Sequence, residues 1–481
     1  MSRVRILAVV SEIFPLVKTG GLADVAGSLP QALRQHDIEM VTLVPGYPAV
    51  KAALGRTEEV LALADLFGGT ARVLAARTAG LDLLVLDAPH LFDRPGTPYS
   101  APDGGDWPDN AFRFGALGWT AARIGLGELP GFQPDIVHGH DWQAGLTMAY
   151  LAYDGGRCPR TVMTVHNLAY QGQFAAALLG QLRLPPRAYG IEGVEHYGAI
   201  GFLKAGLQFA DRITTVSPSY AKEIQTADMG FGLDGLLRRR AAVLSGIRNG
   251  IDVDVWNPET DTRIASCFGA SSLADRLPNK AAVQRRFALR QDPDRLLLGL
   301  VGRMVWQKGL DLLADAMPAL VKSGAQLAVL GAGEPALEQR LAALANDHRG
   351  QVGCIIGYDE DLAHLVQAGA DAVLVPSRFE PCGLTQLCAM RYGAIPVASK
   401  VGGLADTIID AEADARDATG LHLFPVTRET LEAALKRTAK LWSAPAKWRA
   451  VQANGMRSDV SWTGPAKDYS SLYRSLLAAK N

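Results

Sequence analysis

Short apolar runs alternate with helix-length segments twice along this chain, and that alternation restricts its fold more than any other feature. In the second half the runs are "LLLGLVGR", "AQLAVLGAG", "VGCIIGY", "DAVLVPS" and "AIPVASK", separated by helical stretches such as "KGLDLLADAMPALV". The first half places "RILAVVS", "MVTLVPG", "LDLLVLD", "PDIVHGH", "RTVMTVH" and "DRITTVS" in the same role. Uninterrupted apolar strands spaced by helices make parallel sheets with both faces covered. The expected class is α/β, with two open parallel sheets. A chain of 481 residues also exceeds what one hydrophobic core usually organises.

The change from one series to the other falls in "SGIRNGIDVDVWNPETD", 245–261, where turn formers crowd together. The expected organisation is an N-terminal domain over 1–247, a second over 248–457, and a C-terminal amphipathic helix within 458–481. That helix is expected to be capped by Ser or Thr and Pro. One segment resists the alternation: "APHLFDRPGTPYSAPDGGDWPDNAFRF", 88–114, is turn-rich and carries Phe92, Tyr99 and Trp107. A loop of that length is either a lid or binding loop or a surface excursion.

With 48% hydrophobic residues, 20% charged residues and a net charge of −1, the chain has no long-range attraction to polyanions. Nucleic acid and acidic membrane are therefore not expected partners. Its five cysteines lack CxxC pairing, which indicates neither a disulfide framework nor a zinc site. The start "MSRVRILAVVSE" imitates a signal peptide, but Ser11 and Glu12 interrupt the apolar run. It reads as a buried first strand. No stretch approaches the ~18 apolar residues of a membrane span, so a cytoplasmic protein is expected.

Open parallel sheets bind ligands beyond the carboxyl ends of their strands. In the first series those positions hold Lys18, Gly20 and Gly21, then Tyr47, then His138, His140, Asp141 and Trp142, then His166 and Asn167. In the second they hold Arg303 and Lys308, Gly331 and Gly333, Tyr358, Glu380 with Cys382 and Gly383, and Gly402 with Gly403. The phrase KxGGLAD occurs once in each series, from Lys18 and from Lys400. Each glycine pair either lets backbone amides approach an anion at a helix start or merely shapes a tight turn.

Three other patterns carry weaker signals. "GAGEPA", 331–336, nearly spells the dinucleotide fingerprint, with Asp359 slightly beyond the usual acidic position. Nicotinamide binding would leave the polar crest of the first series unexplained. Asp252 and Asp254 resemble a metal-holding DxD pair but sit in the hinge rather than at a strand end, where packing explains them better. The run Arg238 to Arg240 reads as the solvated end of a helix.

At "VKTGGLADV", "LVPGYPAV", "HGHDWQAG", "TVHNLAYQG", "NGIDVDVWNP", "GRMVWQKGLD", "SRFEPCGLTQLCAMRYG" and "KVGGLADTI" the chain closely resembles the bacterial glycogen synthase and plant starch synthase family. The likeness runs from Ile6 to Trp462. It implies the glycosyltransferase B fold, in which two Rossmann-like domains face each other across a cleft and the C-terminal helix crosses back to the first. It further implies transfer of glucose from ADP-glucose to the nonreducing end of an α-1,4-glucan, with retention of configuration and without a metal ion or other cofactor. On this resemblance Lys18, Gly20 and Gly21 close over the donor, while Arg303 and Lys308 hold its diphosphate. Tyr358 stacks on adenine. His166 and Asn249 contact the transferred glucose. Glu380 binds its hydroxyls beside the amides of Cys382 and Gly383, with Leu384 and Thr385 completing that segment. Tyr99, Asp141, Trp142 and Asn167 line the acceptor side. Many retaining relatives place a second glutamate eight positions after the first; here Cys388 stands there, as in the starch and glycogen subgroup.

The chemistry accounts for these residue types. Breaking the bond from glucose to phosphate builds negative charge on the leaving diphosphate, which fixed cations stabilise. One cation at 4 Å contributes about 4 kcal/mol at an effective dielectric near 20, so Lys18, Arg303 and Lys308 can together replace a magnesium ion. Retention follows either from a covalent intermediate on Glu380 or from same-face attack, and the family role of Glu380 favours the second. His166 orients the sugar rather than acting as a base. Cys382 is either a thiolate favoured by the helix start or a small residue needed for fit. A donor of UDP-glucose and a different glucosyl product stay open on residue physics alone, whereas the presence of Lys18, Arg303, Lys308 and Glu380 argues against a sensor without turnover.

Overall fold

The structure is a computed structural model that describes residues 3–102, 104–156 and 158–479. It divides into two compact units, 1–249 with 462–481, and 250–461.

The first unit is built on a nine-stranded sheet. Its strands are β1 (Val4–Val9), β2 (Ile38–Pro45), β3 (Thr57–Leu63), β4 (Ala71–Thr78), β5 (Leu81–Asp87), β6 (Ile136–His140) and β7 (Arg160–Val165). A small three-stranded sheet follows, made of β8 (Gln173–Ala175), β9 (Glu195–His196) and β10 (Ala199–Gly201). Strands β11 (Arg212–Thr215) and β12 (Leu244–Gly246) then complete the large sheet. Its order is β12-β11-β7-β6-β1-β2-β5-β4-β3.

The run from β12 to β5 is parallel, but β5 pairs antiparallel with β4, and β4 with β3. The expectation of a wholly parallel first sheet is corrected at this edge. Strand β3, "TEEVLAL", is mostly exposed, so it lacks the continuous apolar run used to find central strands. Strands β4 and β5 are joined by Ala79 and Gly80, both with positive φ (49° and 75°). That is the backbone of a tight primed hairpin turn, reached here without the usual Asn-Gly signal.

The second unit carries β13 (Leu297–Val301), β14 (Gln326–Gly331), β15 (Val352–Ile356), β16 (Ala372–Val375), β17 (Ile395–Ser399) and β18 (Leu421–Leu423). All pairs are parallel, in the order β15-β14-β13-β16-β17-β18. This is the doubly wound arrangement, and chain direction across the sheet reverses between β13 and β16. In the first unit the reversal lies between β1 and β6. A crevice opens at such reversals, where the loops leaving two neighbouring strands run to opposite faces.

The C-terminal helix Thr463–Ala478 belongs to the first unit. Its buried face of Ala466, Tyr469, Tyr473 and Leu476 packs with Ile6, Val25, Leu29 and Ile136. The cap position is Trp462, with no side-chain cap hydrogen bond, so the expected Ser or Thr cap is not formed. The turn-rich segment 88–114 is braced from inside. The buried guanidinium of Arg113 donates to the carbonyls of Leu91 and Pro98 at 2.8 and 2.9 Å and to Asn110 Oδ1 at 2.7 Å.

Candidate active site

In the first unit the chain leaves β1 through Ser11 and Glu12, which are 0% and 3% exposed. A carboxylate so placed requires donors. Glu12 Oε2 accepts from the backbone N–H and the hydroxyl of Thr19, the latter at 2.7 Å, and from Gly20 N–H at 3.3 Å. Burial still raises its pKa above the usual carboxylate value. Ser11 Oγ lies 2.8 Å from the hydroxyl of the partly buried Tyr99, whose phenol is pushed well above its ordinary pKa by desolvation. The first glycine pair therefore starts the helix Gly21–Leu33 from a loop whose amides already bind the protein's own carboxylate. Lys18 Nζ donates to Asp24 Oδ1 at 3.0 Å, in the first turn of that helix.

Across the reversal, Asp141 opens the helix Asp141–Asp154 with φ of 55°. Its Oδ1 accepts from His166 N at 2.7 Å and Asn167 N at 3.4 Å, which ties the end of β6 to the end of β7. Burial raises the Asp141 pKa to about 7 against those two bonds. His166 Nε2 lies 2.9 Å from His140 Nδ1, and both rings are buried. Desolvation lowers the His166 pKa to about 3, so the ring is neutral. Trp142 is half-buried, edge-on to Phe114 at 4.9 Å and near Phe174 at 5.8 Å. A Cβ on Gly172 would lie 2.2 Å from its ring. Asn249 is 7% exposed, and its Oδ1 has no hydrogen-bond partner among the described residues.

In the second unit Lys308 follows β13 and Glu380 follows β16, the two strands at the reversal. Lys308 Nζ meets Glu380 Oε2 at 2.5 Å, and Ser377 Oγ donates to the same oxygen at 2.9 Å. The Glu380 side chain is 8% exposed, and its Oε1 makes no hydrogen bond among the described residues. Arg303 is exposed on the loop after β13. Tyr358 is 74% exposed after β15, with its hydroxyl bonded to the Glu360 carboxylate. Leu384 occupies the cap position of the helix Thr385–Arg391. Gly383 before it has φ of 70°, a conformation suited to glycine.

The second glycine pair is needed for close approach. A Cβ on Gly403 would lie 2.1 Å from the carbonyl oxygen of Cys382, and Gly403 N donates to Glu380 O at 3.0 Å. Cys382 is buried beneath it. The near-fingerprint glycines have the same explanation. A Cβ on Gly331 would meet Gly302 O at 1.9 Å, and one on Gly333 would meet Met304 O at 2.4 Å. Asp252 Oδ1 accepts from the amides of Asp254 and Val255, a turn cap. No group of three or more potential metal ligands exists among the described residues. Arg240 donates to the carbonyls of Leu207, Gln208 and Ala210, so it is half-buried over a helix end rather than solvated.

Glu12, Asp24, Ser377 and His140 had no role assigned from the sequence. For Glu12 a signal was present: a carboxylate ending the first apolar run, at the C-terminal tip of a central strand.

Residues 5–239 match the family model described as the starch synthase catalytic domain, and residues 284–453 match glycosyl transferases group 1. A protein named glycogen synthase from Rhodopseudomonas palustris strain BisB18 is 61% identical over 483 residues, covering 100% of this chain and 99% of that protein. The chain belongs to the glycogen synthase family. A second relative of that name, from Methylocella silvestris, is 58% identical, with 99% of each chain covered. Among solved structures, the catalytic domain of starch synthase IV from Arabidopsis thaliana, bound to ADP and acarbose, matches with a TM-score of 0.88. It is 30% identical and covers 99% of this chain and 100% of that one. The fold is thus that of the glycosyltransferase B class, and the chain is a glycosyltransferase. No helix among its described residues is long and apolar enough to cross a membrane.

Proposed function

We propose that this enzyme elongates glycogen by moving glucose from ADP-glucose to the nonreducing end of an α-1,4-glucan, with retention and without a metal ion. The observation that carries the reading is the Lys308–Glu380 pair at the strand reversal of the second unit. An ammonium and a carboxylate at that crevice match the two needs of a nucleotide-sugar donor: positive charge for the diphosphate and an acceptor for sugar hydroxyls.

Departure of ADP develops charge on the diphosphate, which Arg303 and Lys308 stabilise, with Lys18 as the cation of the first unit. Glu380 presents Oε1 to the glucose hydroxyls because Lys308 and Ser377 already engage Oε2. Among the described residues, His166 and Asn249 each keep one polar atom without a protein partner, Nδ1 and Oδ1, and these serve the transferred glucose. Tyr358 supplies an exposed ring for adenine. Tyr99, Asp141, Trp142 and Asn167 serve the acceptor. With Glu380 committed to hydroxyls and Cys388 at the position of a second glutamate, the phosphate itself takes the proton of the acceptor hydroxyl during same-face attack.

The test is glycogen-dependent release of nucleoside diphosphate, with ADP-glucose and UDP-glucose compared and chelator added. Release of ADP that persists in chelator is the expected result. Preference for UDP-glucose, or loss of turnover in chelator, refutes the corresponding part.

A further inference from the structure

The mechanism assigns His166 to the sugar but leaves the two histidines behind it unexplained. His140 stands between His138 and His166, with ring centroids 4.1 and 5.2 Å away. His138 is locked on both nitrogens: Nδ1 lies 2.8 Å from Tyr473 Oη, and Nε2 lies 2.6 Å from Thr164 Oγ1. Thr164 Oγ1 in turn lies 2.5 Å from Thr214 Oγ1. The C-terminal helix and three strands thus clamp the stack from behind.

Desolvation holds all three rings neutral. Between two neutral imidazoles whose nitrogens lie 2.9 Å apart, only one of the pair can carry the shared proton. If His140 Nδ1 donates, His166 carries its proton on Nδ1 and offers a donor. If His166 Nε2 donates, its Nδ1 is an acceptor. The backbone of His166 is fixed as well, through Asp141. His166 Nδ1 makes no hydrogen bond among the described residues, so the bond to His140 controls what this nitrogen offers a ligand.

We propose that His140 is a positioning residue for the transfer: its hydrogen bond to His166 Nε2 holds the His166 ring in one orientation and one tautomer, leaving a defined Nδ1 for the transferred sugar. This rests on the reading of His166 as a sugar contact. His138 and Tyr473 act one step further back, by keeping His140 from turning.

A kinetic double-mutant cycle on the full chain tests it, using His140→Phe, His140→Asn, His166→Ala and the combination of His140→Phe with His166→Ala. His140→Phe is expected to lower kcat by roughly 10–100-fold, by analogy with the loss of the partner that orients a metal-ligating histidine, with KM for ADP-glucose little changed. His140→Asn, whose amide reaches the place of Nδ1, restores most of that loss. In the His166→Ala background His140→Phe costs nothing further. Nitrogen-15 spectra of labelled histidines, with His166 identified by the signal absent in His166→Ala, are expected to show one tautomer in the wild type and a mixture in His140→Phe. The spectra keep the test alive if a variant is unstable.

Independent, multiplying losses in the cycle would overturn the proposal, as would a mixed tautomer in the wild type. Full activity in His166→Ala removes the sugar-contact reading instead, and the spectra still report whether His140 governs the ring.

Discussion

Replacing Lys308 with methionine keeps the apolar stem and removes the charge, so it tests the electrostatic account directly. Two effects follow from the geometry. The first is lost stabilisation of the leaving diphosphate. A cation at 4 Å is worth about 4 kcal/mol at an effective dielectric near 20, and Arg303 remains, so about 2–4 kcal/mol of the barrier is at stake. That corresponds to a fall in kcat of about 30- to 1,000-fold.

The second effect is an orphaned carboxylate. Glu380 sits 2.5 Å from Lys308 Nζ with its side chain only 8% exposed, while Lys308 is 23% exposed. Breaking a fully buried pair costs about 3–5 kcal/mol and an exposed one under about 1, so about 1–3 kcal/mol of stability is expected to be lost here. The two effects separate on adding Glu380→Gln, which removes the unpaired charge. Thermal unfolding of the double variant should recover toward wild type, while glycogen-dependent ADP release should not. A Lys308→Met enzyme with a raised KM and an unchanged kcat would show that the ammonium binds donor and transition state equally, and the electrostatic argument would fail.

The two glycine pairs should respond differently to alanine. Gly403→Ala forces a Cβ to 2.1 Å from Cys382 O and is expected to cost at least about 1–3 kcal/mol. Gly20→Ala meets nothing nearer than Glu12 Oε1 at 3.8 Å, at an extended backbone, and should leave unfolding nearly unchanged; equal losses would remove the distinction. For Asp141 the folded pKa of about 7 lies above the ordinary carboxylate value of 3.8. Its contribution to stability is therefore complete below about pH 4 and lost as pH rises toward about 7. Asp141→Asn still accepts the His166 amide, so the variant should gain on the wild type between those limits, by up to about 4 kcal/mol at 1.36 kcal/mol per pH unit. Denaturant unfolding at pH 4 and pH 8 that gave the same difference would contradict this.

Much of the architecture was readable because strands buried on both faces need continuous apolar runs, which "RILAVVS" and "LLLGLVGR" display. The hairpin edge was not, since "TEEVLAL" is mostly exposed and its neighbour turns on Ala-Gly. At the site, motif spacing marked Lys308 and Glu380 separately, and nothing local announced that they pair. Glu12 was visible only as a break in an apolar run; its role emerges from the amides of Thr19 and Gly20 closing on it. The near-fingerprint at 331–336, set aside on the sequence, has a structural cause, because glycine serves backbone crowding as readily as phosphate binding.

The sequence by itself determined the α/β class, the presence of the two large sheets and the family, since periodicity and long motifs are properties of the chain in one dimension. Tertiary structure alone decided which strands adjoin at each reversal, which carboxylate meets which cation, and that three histidines from β6 and the end of β7 stack behind one another. Those facts depend on parallel strands far apart in sequence being brought to neighbouring positions, where burial and a few tenths of an ångström set the charge and tautomer of each group.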